Sequence, residues 1–542
     1  MNSTTPWLLI LGLIPLAGAA VCWTGSDALS KRTALVTSLA TLVVAIVMCA
    51  QFKAHGEVFQ FRTDISWISE FGVRFSLGAD GIALVLIALT AVLVPVVVLA
   101  SWEEAEGGRR SVKTFFALLL VLESLLFGVF AATDVFLFYV FFEAMLIPMY
   151  FLIGSYGGPR RSYAAVKFLL YSLVGGLLML AAVIGLYVAS ASQLGAGTFD
   201  FATLTTLHLS HGTQDALFLG FFIAFAVKAP LFPFHTWLPD AGAESPTGGA
   251  VLLVGVLDKV GTFGFLRYCV PLFPDASRTF APYVLVLALV GILYGALVAI
   301  GQRDIKRLVS YTSVAHFGFI ALGVFALTSQ GGSGAVLYMV NHGLSTGALF
   351  VVVGILASRR GSRDMGAFGG VATVAPLLGG AFLIAGLSSL ALPGLNSFVS
   401  EFLVLVGTFT RYKVAAVLAT AGIILAALYI LLAYQRTMQG PLKEGNEGIK
   451  DLSTREVWVL APLLALIVAL GVYPKPLLDA ITPSVQRTLQ QVGRTDPAPT
   501  AGSATADRGA PGPVPAYAPG TSPFKPAGDR TPGLDVAIGA RP

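Results

Sequence analysis

Apolar runs of about twenty residues recur along this chain, and no other feature limits its fold as strongly. Each run is long enough to cross a hydrocarbon core about 30 Å thick as a helix. A transmembrane barrel would instead need short segments of alternating polarity. Composition points the same way: 56% of the 542 residues are hydrophobic and 12% are charged, against about a quarter charged in a soluble globular chain. Length alone would suggest roughly three or four soluble domains, but the apolar runs override that prior. The expected fold is an all-α integral membrane protein.

About fourteen transmembrane helices are expected, at 7–23, 33–50, 80–100, 114–132, 134–154, 163–190, 215–234, 247–270, 281–300, 306–328, 335–357, 374–407, 414–435 and 456–473. The seventh and twelfth are broken. The stretch Lys228–His235 reads KAPLFPFH, and Leu392–Phe398 reads LPGLNSF. Proline and glycine in mid-span interrupt the backbone ladder, and the freed groups need partners. The two breaks lie five spans apart, which suggests two inverted five-helix repeats, each with a broken fourth helix. The expected organisation is three transmembrane helices over 1–113, a first repeat over 114–270, a second over 281–438, and a last helix with a C-terminal segment over 439–493. From 494 to 542 Pro, Gly, Ala and Thr dominate, the composition of a disordered tail.

The net charge of +5 is modest, and the basic residues sit in short loops, where they set orientation rather than bind nucleic acid. Loops after odd-numbered spans hold most of them, including Lys31, Arg32, Arg160, Arg161, Arg303, Lys306, Arg307, Arg359, Arg360 and Arg363. Those loops are expected to face the cytoplasm, with both termini outside it. The amino terminus lacks a basic leader and a small-residue cleavage site, so Pro6–Trp23 is expected to remain as the first helix. Cys22, Cys49 and Cys269 are the only cysteines and form no Cys-x-x-Cys pair. Phosphate-binding glycine loops are also missing from the sequence. Neither a metal, an iron–sulfur cluster nor a nucleotide cofactor is expected in this chain.

Ionisable groups inside a span are costly unless paired or hydrated, and they mark function. Glu123 and Glu143 fall in the fourth and fifth spans, Lys228 just before the first break, and Lys259 deep in the eighth. His316 and His342 fall in the tenth and eleventh, and Glu401 follows the second break. Burial and a nearby opposite charge act on such groups in opposite directions, so a buried lysine can release its proton when its partner moves. Histidine titrates near neutral pH unaided. Glu143 with Lys228, then Lys259, His316, His342 and Glu401, would form a chain of proton-accepting sites; for each histidine a packing role competes, and Glu123 could be only an interhelical hydrogen bond. Lys167 is near enough to a span end to snorkel. Asp258 adjoins Lys259 at about 100° around the helix, so it is expected to pair elsewhere or to depress proton release from Lys259 only weakly. His208 and His211 are expected at the surface.

Several runs resemble one family. FFEAMLIPMY, from Phe141 to Tyr150, is similar to the fifth-helix signature of the antiporter-like membrane subunits of complex I, the proton-translocating NADH–quinone oxidoreductase. The run Lys228–Thr247 resembles their seventh-helix signature, and Gln302–His316 and Asn341–Ser345 resemble two more. The resemblance covers about 80–480. It implies a proton-translocating subunit without redox centres, with FMN, iron–sulfur clusters and quinone in partner subunits and with L- and N-type chains as neighbours in a bacterial cytoplasmic (inner) membrane. It also implies roles for the Glu143–Lys228 pair, Lys259, the histidines and a terminal site on the twelfth helix. That terminal residue is lysine in the related L- and N-type chains. Here it is Glu401, as in the M-type chain, the counterpart of mitochondrial subunit 4; the run Tyr473–Asp479 also resembles the M-type ending. Gly242 stands where the family usually has histidine, and Asp258 where it usually has leucine. The alternatives are a subunit of a multisubunit cation–proton antiporter or membrane-bound hydrogenase, and a non-transporting scaffold, against which the buried lysines argue.

Overall fold

The computed structural model describes residues 5–106 and 110–497; the expected tail lies outside the described residues beyond Pro497. Among the described residues, twelve helices are long and apolar enough to cross a membrane. In chain order the helices that matter are α1 Trp7–Thr24, α2 Asp27–Gln51, α3 Gly81–Ala100, α4 Val112–Ala131, α5 Val135–Tyr156, α6 Arg161–Leu194, α7 His211–Lys228, α8 Leu238–Glu244, α9 Thr247–Leu272, α10 Pro274–Ile300, α11 Ile305–Phe325, α12 Ser329–Arg360, α13 Pro376–Ser389, α14 Asn396–Phe409, α15 Lys413–Met438, α16 Thr454–Val472 and α17 Lys475–Gln491. The seventh expected span, 215–234, covers most of α7 and the break after it, beyond which α8 begins. The twelfth is α13 and α14, again separated by a break.

Burial sorts these helices by composition. The polar-bearing α9, α11 and α12 are almost wholly enclosed, as is the apolar α3. Helices α1, α2, α6, α10, α15 and α16 turn Leu, Val and Ile outward, for example Val174, Val286, Val414 and Ile424. The most polar spans therefore make the interior, and the aliphatic ones face outward where lipid would lie.

Each break has a local cause. Pro230 and Pro233 end α7, because neither supplies an N–H and each ring excludes the next helical turn. The Trp237 indole N–H donates to the freed carbonyl of Val227 at 2.8 Å. In the second break Pro393 is followed by Gly394 at φ 93°, which a glycine adopts without a Cβ clash. Around it Asn341 Nδ2 donates to the Asn396 carbonyl at 2.7 Å, and Ser388 Oγ donates to Asn396 Oδ1 at 2.5 Å. Asp451, in the loop before α16, accepts from the N–H groups of Leu377 and Leu378 at 3.0 and 2.9 Å, at the start of α13. Burial raises its carboxyl, but these backbone donors outweigh it and hold the group below the usual carboxylate range.

Two elements were not foreseen. An antiparallel hairpin joins α2 to α3, with β1 Gln60–Ile68 paired to β2 Val73–Ala79. Its turn closes on Gly72 at φ 66°. Beyond β2, Asp80 caps α3 and forms a buried ion pair with Arg267 of α9 at 2.5 Å. The second element is α17, which buries Ile481, Ser484, Val485, Thr488 and Leu489 along one stripe. It lies so close to α3 that a Cβ on Gly81 would come within 1.8 Å of the Ala480 carbonyl oxygen.

Candidate functional site

On α4, Glu123 is fully buried and accepts a hydrogen bond from Thr41 of α2 at 2.6 Å; its second oxygen has no protein partner. Glu143 on α5 is half-buried, and its carboxylate lies over Gly176 of α6. A Cβ there would meet Glu143 Oε1 at 1.7 Å. The neighbouring Gly175 faces Ala224 and Val227 of α7. The two glycines thin α6 between Glu143 and Lys228, which interact electrostatically without a direct hydrogen bond. Lys228 is the last residue of α7, where the helix dipole favours a cation. Its Nζ is fully buried, 4.7 Å from the centre of the Phe142 ring and without a hydrogen-bond partner.

The second group runs through two hydrogen-bonded pieces that meet at a histidine–histidine ring contact. In α9 the turn Leu253–Leu257 is π-helical, so one carbonyl per turn loses its usual partner. Lys259 Nζ donates to that of Val254. It also meets His342 Nδ1 of α12 at 2.6 Å and lies 5.0 Å from the Phe317 ring centre. The His342 and His316 rings are 5.2 Å apart. His316 Nδ1 is 2.6 Å from the Tyr338 hydroxyl, and that hydroxyl donates to Glu401 Oε2 at 3.1 Å. A phenol has one proton, so while Tyr338 donates to Glu401, His316 must donate from Nδ1. Its Nε2 then accepts from Ser389 at 3.3 Å or Tyr429 at 3.4 Å. An ammonium at Lys259 likewise makes His342 Nδ1 the acceptor. The Lys259–His342 and His316–Tyr338–Glu401 links each have a defined donor and acceptor, whereas the two imidazoles meet only as rings and His342 Nε2 is buried without a hydrogen-bond partner.

Residues 132–427 match the family described as NADH:quinone oxidoreductase/Mrp antiporter, TM. NADH-quinone oxidoreductase subunit M of Mycobacterium tuberculosis strain H37Rv is 51% identical over 536 residues, covering 92% of this chain and 97% of that protein. The chain belongs to this family. Subunit M of Rhodobacter capsulatus is 41% identical, over 89% of this chain and 96% of that one. Among solved structures, a chain of respiratory complex I from Thermus thermophilus with bound NADH superposes with a TM-score of 0.82 at 34% identity, covering 90% of this chain and all of that one.

The structure gathers Lys259, His342, His316 and Glu401 into one line of hydrogen bonds and a tilted ring contact between the histidines. The order differs from the expected one. His342 adjoins Lys259, and His316 lies nearer Glu401, because α12 brings both Tyr338 and His342 toward α11. Glu143 and Lys228 form a second group, and Glu123 stands apart on Thr41. Lys167 does not simply reach toward solvent: it pairs with Asp240 of α8 at 2.8 Å, which Arg307 of α11 also holds at 2.5 Å. Asp258 has no partner elsewhere. Both its oxygens are buried without a hydrogen bond, and it interacts electrostatically with Lys228 and Lys259. His208 and His211 are exposed as expected.

Sequence reasoning missed Tyr338, although it precedes His342 by four residues and so shares its helix face. It also missed His235 in the first break. That imidazole is buried with both nitrogens unpartnered, stacked on Phe232 and edge-on to Tyr294. Among the described residues no three His, Cys, Asp or Glu side chains are grouped as a metal site.

Proposed function

We propose that this chain is the M-type proton-translocating membrane subunit of NADH–quinone oxidoreductase, and that its buried Glu, Lys, His and Tyr side chains carry the protons. The line from Lys259 through His342, His316 and Tyr338 to Glu401 carries the reading. Each member can give or take a proton, with a bridge needed at the His342–His316 step, where the rings meet without a hydrogen bond, and the helices holding them are otherwise sealed by apolar packing. Lys228 and Glu143 form the input half. The repeats 114–270 and 281–438 would each supply one broken helix, as in transporters built from inverted halves. The excess of Lys and Arg in loops after odd-numbered spans supports an orientation in a bacterial cytoplasmic membrane with those loops in the cytoplasm and both termini outside it. FMN, iron–sulfur clusters and quinone belong to partner subunits, and the L- and N-type chains are the expected membrane neighbours.

Two substitutions test the input half. In membrane vesicles driven by NADH, Glu143→Gln or Lys228→Ala is expected to cut proton uptake about a hundredfold or more, the lower range for losing a positioned acid–base group. A native gel reports assembly. Uptake at the wild-type rate in either assembled variant would remove the pair from the path.

Gly176→Ala tests the seat of Glu143. The added methyl overlaps the carboxylate, and overpacking of this kind costs about 1–3 kcal/mol. The variant is expected to assemble with a lower thermal midpoint and slower proton uptake. Gly175→Ala is expected to act more mildly, since its nearest neighbour, Ala224 Cα, is 3.1 Å from the added carbon. Equal effects of the two on uptake would mean that Glu143 is not what the glycine protects.

A further inference from the structure

Among the described residues, Asp258 is the one buried carboxylate that the path described above does not use and that has no hydrogen bond to either oxygen. Its position follows from the shape of α9. The π-helical turn Leu253–Leu257 ends with the Asp258 N–H donating to the Leu253 carbonyl at 3.1 Å. After that turn Lys259 points to α12, where it meets His342. Asp258 shares a face with Gly261, three residues on. Gly261 lies directly against the end of α7: a Cβ on it would be 2.5 Å from both the Ala229 nitrogen and the Phe225 carbonyl oxygen. The Asp258 face of α9 is thus the one turned to the end of α7, and Lys228 is the last residue of that helix. The two lysines are also the charged groups with which Asp258 interacts.

A carboxylate enclosed without hydrogen bonds is costly to keep ionised, and packing does not require one. A static counter-ion would stabilise both ammonium groups and oppose proton release from either. A carrier between them accounts for an unpartnered, enclosed carboxyl placed on the face between two lysines. We propose that Asp258 is a further proton-carrying residue that joins Lys228 to Lys259; this rests on the proton path proposed above. The Lys228 ammonium gives its proton to the Asp258 carboxylate, leaving an amine and a carboxylic acid. The acid then gives that proton to the Lys259 amine, which restores the carboxylate and forms an ammonium. Neither Asp258 oxygen is within hydrogen-bond distance of either lysine, so each transfer passes through a bridging water that returns to its starting state, and no electron pair leaves the groups.

The test uses the whole complex in membrane vesicles, with NADH as donor and a soluble quinone as acceptor. Proton uptake is normalised to assembled complex on a native gel. Asp258→Asn keeps the shape without a titrating group, Asp258→Leu removes polarity, and Asp258→Glu keeps the carboxyl. The first two are expected to slow uptake on the order of tenfold or more, with Asp258→Glu retaining most of it. Infrared difference spectra of the working complex are expected to show a deuterium-sensitive carboxylic-acid C=O band that is lost in Asp258→Asn and shifted in Asp258→Glu. Wild-type uptake in assembled Asp258→Asn or Asp258→Leu overturns the proposal. So does failure of both to assemble, which would make Asp258 a structural anion, and so does a spectrum without that band. Lys228→Ala and Lys259→Ala are measured in parallel. If they pump normally the whole path is wrong, whereas if they fail while Asp258→Asn pumps, only the link is wrong.

Discussion

Lys259→Ala is expected to abolish NADH-driven proton uptake, a loss on the order of a hundredfold or more for removal of a positioned proton carrier. Lys259 is the one residue bonded to His342 while interacting with Asp258 on the α7 side. Its loss also leaves Asp258 facing Lys228 alone. A cavity is a second consequence of the alanine, so Lys259→Arg gives the sharper result. Arginine keeps the charge and nearly fills the space, and its guanidinium stays protonated in proteins. The Phe317 ring, 5.0 Å from Nζ, would still accept a cation. If the lysine matters as a fixed charge, the arginine variant pumps. If it matters as a group that gives up its proton, the arginine variant assembles and fails. We expect failure, measured as dye-reported uptake in vesicles with assembly matched on a native gel.

Most of the fold was legible because a bilayer leaves few solutions. The runs of about twenty residues located the spans, and Pro230, Pro233 and Pro393 located the breaks. The hairpin was not read because Gln60–Ile68 is a nine-residue segment between spans, seven of whose residues are polar or lie at the exposed surface. Helix α17 was missed as a helix for the opposite reason: its buried stripe is short and interleaved with polar residues, so no hydropathy window marks it.

The site was legible as a set of residues and not as a path. Charge inside apolar runs found Glu123, Glu143, Lys228, Lys259, His316, His342 and Glu401. Their connections depend on two things that composition hides. One is the π-helical turn in α9, which has no residue signature and decides which way Asp258 and Lys259 face. The other is Tyr338, which reads as an ordinary aromatic of the interior until its hydroxyl is seen between His316 and Glu401. Histidine order along the chain gave the wrong order in space, because sequence position records the helix and not the depth within it.

Glu401 and Tyr338 give the other large expected effect. Glu401→Gln fixes the terminal site as neutral with almost unchanged shape, and it is expected to reduce uptake on the order of a hundredfold. Tyr338→Phe removes one oxygen and is expected to cost less, since water can replace a hydroxyl more readily than a titrating group. The two effects are expected not to add: in Glu401→Gln the bond from Tyr338 already ends on a group that cannot take the proton. Glu401→Asp should keep part of the rate, because the carboxyl survives one methylene shorter. Glu401→Lys should not restore it. A protonated lysine donates and cannot accept from the Tyr338 hydroxyl, so the bond must reverse and His316 Nδ1 must become the acceptor. The neighbouring Ser389 and Tyr429 hydroxyls, at 3.3 and 3.4 Å from His316 Nε2, accommodate either tautomer. Histidine therefore tolerates the reversal, while a carboxylate is lost as the acceptor at the end of the line. Uptake by the four variants and the double variant, each matched for assembly, distinguishes these cases. Normal uptake in Glu401→Gln would move the terminal site off α14, and additive losses in the double variant would mean that Tyr338 and Glu401 do not act in one path.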